Sequence, residues 1–211
     1  MYGRLTRIKG SPDGLEESVR TFEKDVATPV RAEPGFRGLA LMGNRQTGDA
    51  ITIAYWEDRA AMEASAEKMK QIRAAHAAAS GGKTTITSVE TGEIVSMERA
   101  GDPSAGTFAR INTLDAKPDQ IDAAIATYKA EVGPLLKSLP GFRSVVMSVN
   151  RETGRVVVGS VWASEQERDA SEARVAELRK KTATTAGAPR ADVELFEIVF
   201  ADIPAGARTG A

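Results

Sequence analysis

No cysteine occurs among the 211 residues, and His76 is the only histidine. The first absence excludes a disulfide framework, a thiolate nucleophile, a Cys-type zinc site and an iron–sulfur cluster. The second excludes, within one chain, a 2-His-1-carboxylate iron site and a His-rich catalytic zinc site, so no metal is expected. Aromatic residues are sparse at 5%, which makes the two tryptophans, Trp56 and Trp162, conspicuous. No run approaches the roughly 20 apolar residues that span a bilayer. The opening MYGRLTRIKG has no long apolar stretch behind its basic residues and does not read as a signal peptide. A cytoplasmic protein without membrane contact is expected. Charge of one sign is also missing. The 28 basic and 29 acidic residues leave a net charge of −1, so no field advertises a nucleic-acid partner.

What is present is a repeat. PGFRGLALMGNRQTGDAITIAYW (Pro34 to Trp56) returns as PGFRSVVMSVNRETGRVVVGSVW (Pro140 to Trp162) at an offset of 106. Carried without gaps to His76, that offset gives 12 identities in 43 positions, where chance gives about 2 or 3. VETGEIV from Val89 answers VELFEIV from Val193 at an offset of 104, so the second copy's last loop is two residues shorter. The polar, turn-rich ERAGDPSAG between them marks a boundary. The expected division is repeat 1–97, linker 98–106, repeat 107–201 and a flexible tail at 202–211.

Each copy reads as the same series of elements. Tyr2 to Lys9 and Phe108 to Leu114 are predicted strands. A turn with Pro12 or Pro118 then opens a helix whose apolar stripe is Leu15, Val19, Phe22, Val26 and Val30, matched by Ile121, Ile125, Tyr128 and Val132. Two strands follow, joined by Asn44–Gly48 or Asn150–Gly154, a natural hairpin loop because Asn and Gly tolerate positive φ. Asp58 and the Ser164-Glu165-Gln166-Glu167 capping box open a second helix, predicted to turn Met62, Ala66, Met69 and Ile72 inward. A last strand covers Thr84 to Val95, or Ala191 to Phe200.

The order β-α-β-β-α-β is ferredoxin-like, α+β, with two helices on one face of an antiparallel sheet. About 95 residues cannot cover both faces, so the two tandem sheets are expected to pack face to face as an intrachain α/β barrel, an internal pseudo-dimer. Further homo-oligomerisation is left open.

Several motifs together resemble the antibiotic biosynthesis monooxygenase family of the dimeric α/β-barrel superfamily. They are PGF after the first helix, the hairpin, a strand ending in Trp before a helix cap (Trp56-Glu57-Asp58, Trp162-Ala163-Ser164) and RAAH late in the second helix. The resemblance implies a pocket between sheet and helices, and one of two chemistries. One branch oxidises polycyclic phenolic substrates without metal or flavin, the deprotonated substrate supplying the electrons. The other degrades haem with a ligating histidine. His76 occupies that histidine's place, but Gly3 stands at the branch's asparagine and Ser65 at its tryptophan. Haem is therefore disfavoured and no cofactor is expected. For the cofactor-free branch, Trp56 matches the strand-end tryptophan, Thr52 the polar residue four positions earlier, and Arg73 the helix arginine, with a different spacing.

The candidate catalytic residue is His76, whose ordinary pKa of about 6.5 suits removal of a phenolic proton. Trp56, Thr52, Tyr55 and Arg73 are the candidate substrate-binding residues, although Thr52 and Tyr55 fall on opposite faces of a strand. Each also has a plainer reading: core tryptophan, boundary histidine, solvated arginine. The second copy carries Val158, Val161 and Thr182 where the first has Thr52, Tyr55 and His76, which suggests a single pocket, in the first half. The expected function is a cofactor-independent monooxygenase acting on a small planar aromatic or quinone-like molecule. The alternative is a non-catalytic module, for ligand binding or stress response, that holds a small ligand in the same pocket.

Overall fold

The computed structural model describes residues 1–203, so residues 204–211 of the tail expected at 202–211 lie outside it. The first repeat runs β1 (Tyr2–Gly10), α1 (Pro12–Phe22), α2 (Thr28–Arg31), β2 (Phe36–Gly43), β3 (Ala50–Trp56), α3 (Arg59–Ala64), α4 (Ala66–Ala79) and β4 (Thr84–Arg99). The second runs β5 (Phe108–Asp115), α5 (Ile121–Thr127), α6 (Gly133–Ser138), β6 (Phe142–Val149), β7 (Arg155–Trp162), α7 (Glu165–Ala170), α8 (Glu172–Thr185) and β8 (Asp192–Asp202). The strands follow the order β1-β3-β2-β8-β5-β7-β6-β4 and close into a barrel. The fold is thus α+β, two tandem ferredoxin-like repeats contributing to one eight-stranded antiparallel barrel. No helix among the described residues is long and apolar enough to cross a membrane.

By contacts the chain divides into one unit of Met1–Thr91 with the described residues from Phe196 on, and another of Gly92–Leu195. In the first, β1 pairs with β3 in the register Tyr2↔Trp56 to Ile8↔Ala50. β3 pairs with β2, and β2 with the end of β8 through Leu41↔Phe200. In the second, β5, β7 and β6 repeat the arrangement, and β6 receives the end of β4 through Met97↔Val146. The final strands are longer than the sequence suggests, because their ends find these extra partners.

The hairpin loops have a local cause. Asn44 Oδ1 accepts from the N–H groups of Gln46 and Thr47, and Gly48 supplies φ +79°. Asn150 and Gly154 do the same in the second unit, with φ +78°. A Cβ on Gly48 would stand 2.0 Å from the carbonyl carbon of Ser11, so close backbone approach adds to the turn's demand for glycine.

Neither long helix is continuous. Between α1 and α2 the residues Glu23–Ala27 form a π turn, and Tyr128–Val132 form its counterpart between α5 and α6. The Thr28 N–H reaches the carbonyl of Glu23, and that of Gly133 reaches Tyr128, five residues back in each case. The next residue in both copies is a proline, Pro29 or Pro134. Proline lacks an N–H and its ring clashes with the carbonyl four residues back. A wider turn just ahead of it accommodates both demands.

The second helix breaks at Ser65 and at Ser171. This shifts its face by one position, so Ser65 is buried and Ala66, expected inward, is exposed. Met62, Met69 and Ile72 do pack inward with Leu15, Phe22, Val30 and Trp56. Ile121, Tyr128, Leu136, Trp162 and Val175 form the second unit's core. Trp56 and Trp162 are fully buried, each edge-to-face against a phenylalanine, Phe36 at 6.1 Å and Phe142 at 6.0 Å. Burial of such side chains is the main stabilising term, on the order of 3 kcal/mol each.

Candidate functional site

In the first unit a cavity of about 50 Å³ opens between the sheet and the helices, lined among others by Thr6, Ile8, Phe22, Thr52, Arg73 and His76. Strand alternation places Thr6 and Ile8 of β1, and Ala50 and Thr52 of β3, on the helix-facing side. Arg73, His76 and Ala77 lie three and four apart on α4 and so share its inner face. Phe22 at the end of α1 and Val26 in the π turn also line it. Such irregular turns recur at functional sites because they re-aim side chains.

Both ring nitrogens of His76 are buried and have no hydrogen-bond partner. Nδ1 is 3.9 Å from Asp25 Oδ2, and the ring stands edge-on to Phe22 at 6.0 Å. Burial pushes the His76 pKa below its usual 6.5, with Asp25 acting in the opposite sense. The imidazole is therefore neutral near pH 7, a base with a free lone pair beside the cavity.

The basic residues of this unit were the less visible part of the site. Arg4 is buried at 6% exposure, donates from Nη1 to Ser65 Oγ at 2.9 Å and from Nη2 to the Met62 carbonyl, and lies 5.7 Å over the Trp56 ring. It thereby fastens β1 to the break between α3 and α4. Its pKa is lowered to about 10 by burial, and next by the charge of Arg73. Burial also lowers the pKa of Arg73, whose guanidinium makes no ion pair or hydrogen bond among the described residues.

The structure brings together three of the five residues singled out in the sequence: His76, Thr52 and Arg73. Trp56 shares the sheet face of Thr52 but does not line the cavity; it packs against Phe36 and under Arg4. Tyr55 is buried on the other face of β3. Arg37 is exposed and pairs with Glu57 at 2.8 Å.

The expectation of a pocket in the first half alone does not hold. The second unit has a cavity of about 50 Å³ lined by Arg110, Asn112, Tyr128, Ser160, Arg179 and Thr182, among others. Arg110 repeats the contacts of Arg4, donating to Ser171 Oγ at 2.7 Å and to the Arg168 carbonyl at 2.6 Å. Here, however, a carboxylate intervenes. Glu172 accepts two bonds from Arg179, at 2.9 and 2.6 Å, and stands 3.3 Å from Arg110. Arg179, and more weakly Arg110, hold its carboxyl below the usual range. The Tyr128 hydroxyl and Asn112 Oδ1 are buried without a hydrogen-bond partner. Burial raises the Tyr128 pKa, and the charge of Glu98 adds to that.

Ser65, at the position where a pocket tryptophan was sought, accepts a bond from Arg4. Among the described residues, no three of the His, Asp and Glu side chains converge on a metal position.

Arg4 and Arg110 escaped the sequence reading although they are identical at the repeat offset. A charge kept at an otherwise apolar strand position is the signal that finds them. Phe22 and Tyr128, on the apolar stripe of the first helix in each repeat, also line the cavities.

Residues 1–78 and 107–184 each match the family model described as antibiotic biosynthesis monooxygenase. Two uncharacterized proteins of Mycobacterium tuberculosis are each 30% identical to this chain, over 96% of it and over 89% and 85% of their own lengths. A solved anthrone oxidase-like protein superimposes with a TM-score of 0.67 at 16% identity, covering 100% of this chain and 96% of that one. At that identity the likeness speaks for the fold alone. The family model, however, spans both repeats, and the chain belongs to the antibiotic biosynthesis monooxygenase family.

Proposed function

We propose that the first unit's cavity is the active site of a cofactor-independent monooxygenase acting on a small planar aromatic or quinone-like molecule. The observation that carries this reading is His76, neutral, buried, and with both nitrogens unpartnered on a cavity wall otherwise mostly apolar. A buried polar atom without a partner costs about 1–3 kcal/mol unless a ligand or water satisfies it. A phenolic hydroxyl would do so and would present the proton that His76 removes.

The chemistry then balances without a further reductant. His76 takes the phenolic proton, and the resulting anion transfers one electron to dioxygen. The radical pair joins through a new carbon–oxygen bond. Cleavage of the O–O bond leaves one oxygen as a carbonyl and releases the other as water, with the proton returned from His76 and that lost from the reacting carbon. Thr52 is the polar wall residue able to orient the hydroxyl. Membership of a monooxygenase family and likeness to an anthrone oxidase-like protein support the reading.

The test is oxygen uptake with a panel of hydroquinones and anthrone-like compounds. Uptake stoichiometric with carbonyl product, abolished in His76→Ala, is expected. Binding of panel members without uptake would leave a non-catalytic ligand-binding module. A haem titration is expected to give no Soret shift.

A further inference from the structure

The two units form an internal control for the electrostatics of their cavities. Arg4 and Arg110, Arg73 and Arg179, and Ser65 and Ser171 are the same residues at the same offset. The acid is what changes: Glu172 in the second unit stands where the first has Ala66. In the second unit the carboxylate closes a three-residue ion cluster at the cavity wall. In the first, the same two guanidinium groups repel each other with no carboxylate between them, and Arg73 lines the cavity with no acid on it. Asp25 stands 3.9 Å from His76 Nδ1 and makes no ion pair with Arg73.

From this contrast we infer that the first unit's cavity binds an anion, and specifically a carboxylate on an aromatic body, with Arg73 as its ion-pair partner. Guanidinium presents a planar fork of donors that matches a carboxylate in two parallel bonds. Arg179 uses that geometry on both oxygens of Glu172. Two partly buried cations without a counter-ion are an unfavourable arrangement that a ligand carboxylate relieves. Ile8, Leu15, Phe22 and Leu41 supply an apolar wall for the rest of the ligand. Glu172 is thus the protein's own stand-in for the ligand, and it occupies the fork of Arg179 in the second cavity. The inference rests on the cavity being a ligand site and is independent of whether oxygen chemistry occurs there.

Benzoate and its neutral isostere benzamide are the probes, with affinity and stoichiometry measured by calorimetry on the full chain. The wild type is expected to prefer benzoate by at least about tenfold, with one site per chain. Arg73→Met removes that preference. Ala66→Glu, at an exposed position, supplies the missing carboxylate and weakens benzoate by about tenfold or more at unchanged melting temperature. Glu172→Ala frees Arg179 and raises the benzoate stoichiometry from one to two. Equal affinity for the two probes, including no binding of either, overturns the inference. So does an Ala66→Glu chain that is folded and binds benzoate as the wild type does. His76→Ala keeps the benzoate preference while losing turnover, so failure here and failure of the monooxygenase reading are separate results.

Discussion

In the first unit Arg4 and Arg73 repel each other without an acid between them, and a neutral histidine shares the cavity with Arg73; in the second, Arg110 and Arg179 share Glu172, and a threonine replaces the histidine. The two frames are otherwise alike, down to the π turn, the helix break at serine and the arginine that ties the break to the sheet. A frame kept this closely after duplication reports what folding needs. The residues that differ inside it report what each cavity does. The first has kept a base and two cations without an acid, and the second has set one acid between its two cations and kept polar groups that do not titrate near neutral pH.

Removal of the base should have the largest effect. His76→Ala is expected to lower kcat/KM for oxygen uptake by about 10²–10⁴-fold, the usual contribution of a positioned base. Thr182→Ala should leave it unchanged, and equal losses from the two changes would break the assignment of chemistry to the first unit. Stability comes next. Arg110→Met leaves Glu172 with one partner and removes the bonds that Arg110 gives to Ser171 and the Arg168 carbonyl, which still bond each other, at a cost of about 2 kcal/mol, limited because Glu172 is partly open to solvent. Arg4→Met should cost less, because it also ends the repulsion with Arg73. Urea midpoints at a common slope measure both.

A smaller effect tests the tryptophans. Trp162 Nε1 donates to Ser160 Oγ at 3.2 Å, whereas Trp56 Nε1 is buried with no acceptor, because Ala54 stands at that position. Ala54→Ser should supply one and raise stability by about 1 kcal/mol, and Ser160→Ala should lower it by a similar amount, read as thermal midpoints. The smallest effect is a slope with pH. The folded pKa of His76 lies below the usual 6.5, so as pH falls the unfolded chain binds the proton first and the native state loses stability. The loss begins near the unfolded value and ends below the folded one. Urea titrations at about pH 7.5 and about pH 5.5 should show it, and His76→Ala should remove that part of the slope. The acid limb of turnover should likewise fall below pH 6.5.

Local chemistry made much of this architecture legible. The Asn and Gly of the hairpins and the caps at Asp58 and Ser164 act within a few residues, and each does in the structure what its type suggests. Comparison of the two copies exposed the strand and helix order. The π turns were not recognised, although Pro29 and Pro134 are their visible cause, because an apolar stripe continues through them with little change. The exposure of Ala66 in place of Ser65 follows from a break that no proline or glycine marks. The cavity was hardest to read. Arg4 is a strand-start arginine like many others until its burial and its bonds to Ser65 and Met62 are seen. The meaning of Ala66 appears only when Glu172 is found on two arginines. A missing charge has no signature in a single sequence.

The pairing of β2 with β8 places a demand on the order in which the chain can mature. Leu41 of β2 lies against Phe200, with the whole second repeat between them in sequence. Until that repeat is in hand, one edge of β2 offers free backbone groups along a run of Leu39, Ala40, Leu41 and Met42, the kind of edge that pairs with the wrong neighbour. Contacts of such long sequence separation form slowly. Fusion of two copies spares each the search for a second molecule, but it leaves this strand waiting on a distant part of its own chain. Yield should therefore respond to the speed of translation and to chaperone supply more than the stability of the finished protein would suggest.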